Sequence, residues 1–287
     1  MVAQSNTPGS GRKTREQIVA AVESLPPLPA VAFRVVATAQ DPKSSAKDLA
    51  LVVSSDPGLT AKLLRIVNSA AFARRRQVSS IQEALVLLGF IQARNIAVAS
   101  AIAGTYPPDP GNALFRISTF WRHSLAVAFL ASEAAARTRV DPPTAFTTGV
   151  IHNIGRLAIF NADPAGLDQA VVNAITEDVP LETIEHETLG YDHAEIGGLL
   201  AAKWGLPEEM QKAITSHHAN PGATPLTKLI ADADRLCVQY GILPGYVVPE
   251  PLSNYTPRPL EMERLLHQVD ELINHIVGAP EVRINYI

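Results

Sequence analysis

Five of the eight histidines form an ordered series, His123, His152, His193 and the adjoining pair His217 and His218, and Asp234 follows them. Each lies on or beside a predicted helix, and helices in a bundle can bring residues so far apart in sequence to one interior point. Imidazoles joined by a carboxylate suit a transition-metal ion, which could acidify a bound water for phosphoester hydrolysis. The series holds no compact ligand motif such as H-x-x-x-H. Spacing alone therefore leaves a second reading open, in which these are partly buried structural histidines. Neighbours on a helix point about 100° apart, so at most one of His217 and His218 is expected to face such a site.

Other chemistries leave no trace in the sequence. It contains no G-x-G-x-x-G or Walker pattern and no Gly-x-Ser-x-Gly elbow. Asp192 and Glu195 read as a capping box around His193, a structural reason for both carboxylates. The run Arg74-Arg75-Arg76 reads as a solvated loop, with recognition of phosphate or an acidic partner as the alternative. Trp121 and Trp204 are expected to anchor the core, and Cys237, on an apolar helical stripe, to be buried and inert. Gly149 and Gly155 bracket His152 and mark close helix packing.

The elements that must position these residues are helical. Apolar residues make up 47% of the 287-residue chain, carried mainly by Ala and Leu, with aromatics at only 6%. Such a mix favours helix, since Ala and Leu lose little side-chain entropy there. No alternating run reaches strand length, so the expected fold class is all-α. Residues 1–14 read as a flexible leader and 15–106 as a first helical part. A Pro-rich hinge follows from Tyr106 to Asn112. A second helical part covers 112–240, and an irregular segment with a terminal amphipathic helix, Leu260 to Ile276, fills 241–287. Asp56-Pro57 opens one helix, and Ser80 to Glu83 caps another that Gly89 stops. Predicted helices near the histidines run over 113–138, 143–160, 164–177, 181–189, 192–204, 207–217 and 224–240.

Composition narrows the function classes. A net charge of −4 argues against non-specific nucleic-acid binding, which needs a basic surface. One cysteine, Cys237, permits no intramolecular disulfide and fits a cytoplasmic location. The first fifteen residues lack the apolar core of a signal peptide. The most apolar stretch, Ala84 to Gly104, is interrupted by Gln92, Arg94 and Asn95, and reads as buried helices rather than a membrane span.

Several segments resemble signatures of the HDOD (HD-related output domain) family. They are Trp121-Arg122-His123-Ser124, Gly149 to Leu157 (GVIHNIGRL), Glu187 to Gly197 (ETLGYDHAEIG), Lys203 to Pro207 (KWGLP) and Ile214 to His218 (ITSHH). Further matches are Leu25 to Pro29, Asp56 to Thr60, Leu63 to Ala70 and Ala84 to Gly89. The resemblance covers about residues 18–240. It implies an all-α fold in which a helical N-terminal subdomain packs on a multi-helix core related to the HD phosphohydrolases. In that superfamily a His, a His-Asp pair, further His residues and a late Asp ligate divalent metals. By position these would be His123, His152 with Asn153, His193, His217 or His218, and Asp234, with Asp232 as the alternative for the last.

Asn153 departs from the family pattern of the metal-dependent enzymes, which carry Asp there. An amide is neutral and offers one weaker carbonyl donor where a carboxylate brings charge and can bridge two cations. The HD-GYP signature of cyclic di-GMP phosphodiesterases is also missing, since Gly190-Tyr191 is followed by Asp192 and Gly245-Tyr246 lies beyond the ligand series. What the resemblance implies is a bacterial, cytoplasmic signal-transduction module, acting through protein contacts or ligand sensing rather than by catalysis. No cofactor is expected, though a divalent Fe, Mn or Zn ion stays open. Expected partners are other signalling proteins, a cyclic nucleotide, or a second copy docked through the terminal helix. The rival expectation is a metal-dependent phosphohydrolase or phosphodiesterase acting on a nucleotide or cyclic dinucleotide.

Overall fold

Helix boundaries follow local chemistry almost throughout. Ser45 accepts from the Asp48 amide while the Asp48 side chain returns to the Ser45 amide, a complete capping box. Asp56, Asp141, Asp163 and Thr224 each cap a helix whose first turn carries proline, where no amide hydrogen is missed. Ser80 accepts from the Glu83 amide, and Gly89, at φ 76°, ends that helix in a conformation open to glycine.

The computed structural model describes residues 13–24, 29–69, 77–103, 114–218, 223–246 and 259–276. Most of the expected leader, the Arg74 to Arg76 run and the 106–112 hinge lie outside them. Among the described residues there are fifteen helices and no strand, so the all-α class holds. The first six are α1 (Arg15–Ser24), α2 (Ala30–Gln40), α3 (Ala46–Ser54), α4 (Pro57–Val67), α5 (Ile81–Leu88) and α6 (Phe90–Ala103). Next come α7 (Ile117–Ala135), α8 (Pro142–Ile151), α9 (Ile154–Ala162), α10 (Pro164–Glu177) and α11 (Leu181–Leu189). The last four are α12 (His193–Lys203), α13 (Glu208–Ser216), α14 (Pro225–Gln239) and α15 (Leu260–Ile276).

Helix α7 is the axis of the later bundle and packs along α8, α14 and α15. Beside it, α12 lies against α9 and α13, and α10 pairs with α11. Helices α2 to α6 form the adjoining layer and touch the bundle through α6 on α8. Both ends of the chain cross over. Helix α1 packs on α12 and α9, while α15 lies against α7, α4 and α6, tied to α7 by the Arg122–Asp270 ion pair at 2.6 Å. The apolar stripe of α15, with Leu266, Val269 and Leu272, is buried in this chain's own core. One continuous core runs from Ile18 to Ile276 and includes Trp121, Trp204 and Cys237.

Two local expectations change. The helix expected over 143–160 divides at His152 and Asn153. Asn153 sits in the bridge region, at φ −97° and ψ 11°, and interrupts the ladder between α8 and α9. The break lets α9 approach α12 so closely that a Cβ added at Gly155 would lie 2.0 Å from the His193 carbonyl oxygen and 2.6 Å from the Gly197 nitrogen. The capping box at α12 is also half made. Asp192 accepts from the Glu195 amide at 2.8 Å, but the Glu195 side chain turns away to an ion pair with Arg15 of α1. Gly155→Ala should therefore lose about 3 kcal/mol or more of stability, because the obstructing atoms are backbone and cannot step aside. Urea unfolding within about 0.5 kcal/mol of the parent chain would contradict that tight crossing.

Candidate metal centre

Helix ends supply most of the expected ligands. His123 lies within α7 and Asp234 within α14, but His152 follows the last residue of α8, His193 opens α12, and His217 and His218 follow α13. All five imidazoles and the Asp234 carboxylate meet in the interior, and only His218 is partly open, at 24% side-chain exposure. The six resolve into two adjoining groups, His193 with His217 and His218, and His123 with His152 and Asp234. Within each, one ligand atom per residue lies within 4.8 Å of the others.

His217 and His218 both reach the site, contrary to the expectation that at most one could. Their Nε2 atoms lie 3.3 Å and 3.1 Å from Nε2 of His193. The 100° rule fails because α13 ends at Ser216, so the pair follows the turn after the helix rather than the helical wheel. Asp232 is corrected the other way. It lies on the exposed side of α14 in an ion pair with Arg235, while Asp234, two residues on, faces inward.

Ring orientation is set from behind. Nδ1 of His123 lies 2.6 Å from the Ile242 carbonyl oxygen, Nδ1 of His152 2.7 Å from that of Gly149, and Nδ1 of His217 2.7 Å from that of Ile214. A carbonyl can only accept, so each Nδ1 carries a proton, and in the neutral rings of His152 and His217 Nε2 presents a lone pair to the centre. For His193 the same task falls to the buried Glu185, which pairs with Nδ1 and accepts from the His193 amide at 3.1 Å. Nε2 of His123 and of His152 are buried and make no hydrogen bond among the described residues, although Asp234 Oδ1 stands 2.9 Å and 3.8 Å away.

Electrostatics agree with that arrangement. Burial holds His152 below the ordinary imidazole range, His193 and His217 well below it, and His218 down to about 3. Burial opposes the charge on Asp234, but the His123 and His152 rings beside it more than offset this and hold its pKa well below the usual carboxylate value. Neutral imidazoles with an ionised carboxylate are the protonation states in which these groups ligate metals. Two nitrogens bound tetrahedrally to one ion at roughly 2.0–2.1 Å stand about 3.3 Å apart, in line with the spacings around His193. The residues present fit a divalent transition metal.

Three members of the site were not assigned roles from sequence: Glu185, Arg156 and Glu182. Arg156 is buried, and its Nε donates to Glu185 Oε1 at 2.7 Å. Burial disfavours its charge, but Glu185 and Glu182 more than restore it and raise its pKa. The spacing of Glu182 and Glu185 puts both carboxylates on one face of α11, and that was the one available signal. Asn153 is buried at the break after α8, and its Oδ1 has no hydrogen-bond partner among the described residues. A cavity of about 460 Å³ opens onto His217, His218, Asp234 and Arg156.

The pattern of the HDOD domain matches residues 25–220. The chain belongs to the HDOD domain family. A structure of a candidate phosphohydrolase from Shewanella amazonensis SB2B is similar, with 29% identity, 91% of this chain and 98% of that one covered, and a TM-score of 0.66. An HDOD domain protein of unknown function from Geobacter sulfurreducens aligns at 25% identity, over 92% and 90% of the two chains, with a TM-score of 0.65. Among sequence relatives, an uncharacterized protein of Treponema pallidum (strain Nichols) is 25% identical over 228 residues, 77% of this chain. A Ribonuclease Y of Desulfotalea psychrophila is 32% identical over 148 residues, 51% of this chain. The matched regions make up 44% and 22% of those two relatives. This HDOD chain is thus an HD-like helical module, and no helix among its described residues is long and apolar enough to cross a membrane.

Because His152, His193, His217 and His218 fold neutral and unfold with pKa values near 6.5, the unfolded chain binds more protons on acidification. Their contribution is complete above pH 6.5 and is lost as pH falls toward the depressed folded values. Metal-free protein should hold its melting temperature near pH 7.5 and lose it progressively as pH falls from about 6.5 to 5. A flat profile would mean that these rings do not stay neutral in the folded state.

Proposed function

We propose that this chain is a non-catalytic HDOD signalling module whose histidine centre holds a single divalent metal ion, for structure or ligand sensing rather than for turnover. The observation that carries it is the convergence of five imidazoles and the Asp234 carboxylate in two adjoining groups, with four of the rings held from behind at Nδ1. His193, His217 and His218 would hold the ion at one side, and His123, His152 and Asp234 at the other. A bound divalent ion supplies Lewis acidity at that point. What this chain lacks is the bridging anion beside it. Asn153 contributes a neutral amide at the second position of the HD pair, so the centre has one negative charge fewer to hold two cations.

The reading of a regulatory module is supported by membership of the HDOD family and by similarity to modules of unknown function. Its partners are then other signalling proteins, reached through surface contacts rather than through a product. The candidate phosphohydrolase among the similar structures keeps the rival reading specific: a phosphoesterase using the same histidines.

Elemental analysis of protein purified without added metal should find about one divalent transition-metal ion per chain. The same protein should hydrolyse bis(p-nitrophenyl) phosphate no faster than buffer. Asn153→Asp should raise the metal content toward two. Two ions in the parent chain, with turnover abolished by His152→Ala, would establish the phosphoesterase instead.

A further inference from the structure

We propose that the corner between α5 and α6 docks a partner helix carrying a carboxylate among apolar side chains, with Arg94 as the group that meets the carboxylate. Val86 is 82% exposed, Ile91 64% and Leu87 38%, three large apolar side chains within six positions. They lie on either side of Gly89, the stop between the two helices. The core is entered instead by Ile81, Ala84 and Leu85 of α5 and by Ala93 of α6. Single apolar residues scattered over a surface are ordinary, whereas a group of them marks a contact site.

Arg94 supplies the second observation. It is 7% exposed and lies one helical turn after Phe90 and Ile91, with its guanidinium carbon 5.7 Å from the centre of the Phe90 ring. Among the described residues it has no hydrogen bond and no ion pair. The carboxylate that acts on it from a distance, Asp141, is exposed, and its Oδ2 accepts from the amide and hydroxyl of Thr144 at the cap of α8. The nitrogens of Arg94 are not sealed in the interior as the terminal ones of Arg156 are, so the head reaches the surface while the stem lies along apolar neighbours. A charge so far out of water without a partner is costly. A carboxylate brought by a partner would complete it with a charge-assisted contact at the edge of the apolar group, the setting in which arginine anchors interfaces.

The form of the partner follows from the surroundings. No strand occurs among the described residues, so no sheet edge is there to extend, and a helix with apolar residues three and four apart fits a helical corner. A second copy docked on the same face about a two-fold axis would set Arg94 against Arg94. A membrane surface calls for several Lys or Arg around the apolar group, whereas the polar neighbours in sequence are Gln82, Glu83 and Gln92.

The proposal rests on the reading of a module that acts through protein contacts, and it shares no residue with the histidine centre. The test is selection on the full chain from a display library of random peptides of roughly 16 residues, long enough for four helical turns, with the selected peptides then measured by fluorescence anisotropy. They should carry Asp or Glu among apolar residues spaced three and four apart. Val86→Asp combined with Ile91→Asp should weaken their binding about tenfold or more, while Val172→Asp, at an exposed apolar position on α10, should leave it unchanged. Replacing the peptide's acid by its amide should weaken binding to the parent chain but not to Arg94→Gln. Having lost an unpaired charge, Arg94→Gln should also melt no lower than the parent chain. No selected peptide, selected peptides without acids, or binding indifferent to the Val86 and Ile91 substitutions overturns the proposal. A lower melting temperature of Arg94→Gln, with the acid preference retained, would make Arg94 a structural residue and overturn its part. A concentration-dependent dimer that Val86→Asp separates would give the face to a second copy and overturn the partner. Turnover, or two metal ions in the parent chain, would sink the non-catalytic reading and leave this surface standing.

Discussion

The structure is constrained first by the convergence of five imidazoles and one carboxylate, most of them buried, at a single point. Five imidazoles and a carboxylate are packed within contact of one another, and backbone carbonyls or Glu185 take the proton of four rings on their outer side. The inner nitrogens face one another and Asp234. Each buried group without a partner costs on the order of 1–3 kcal/mol, so the cluster does not stabilise the fold. The helices around it must hold it together, and a cation at its centre would turn the largest local liability into a bond.

That demand explains where the helices stop. Residues in the middle of one helix share its limited set of directions, so a convergent site built only from helix interiors needs one helix per ligand. Here four of the six ligands sit at helix ends, where the backbone departs from the spiral and a ring can be aimed freely. The break at His152 and Asn153 serves twice, since it turns His152 inward and brings Gly155 against the start of α12 beside His193. The first layer of helices and α15 provide no ligand. They pack against α7 and α8, the helices that carry His123 and lead to His152.

The same geometry separates holding a ligand from transforming it. The cavity opens onto His217, His218, Asp234 and Arg156, so a ligand there stands beside any ion the histidines hold. The bridging charge that would acidify a water between two ions is the part replaced by an amide at Asn153. On the proposed reading, an HD-like scaffold altered at that one position holds a ligand without transforming it.

Local rules were enough to read much of this from the chain. Ala and Leu content, the Asp-Pro and Ser-x-x-Glu starts and the glycine stop at Gly89 marked the helices, because capping and propensity act over a few residues. The ordered histidines, Asp234 and Asn153 were legible through their resemblance to a family. What the chain alone withheld depends on distances between segments. The split of the 143–160 helix follows from a crossing with α12, and the shared use of His217 and His218 follows from where α13 ends. The choice of Asp234 over Asp232 follows from which side of α14 faces α7. Glu185 and Arg156 carry no local mark of a role in the chain, and only burial places them against His193 and one another. Burial is a property of the assembled fold, and it converts those charges from solvated surface groups into parts of a site.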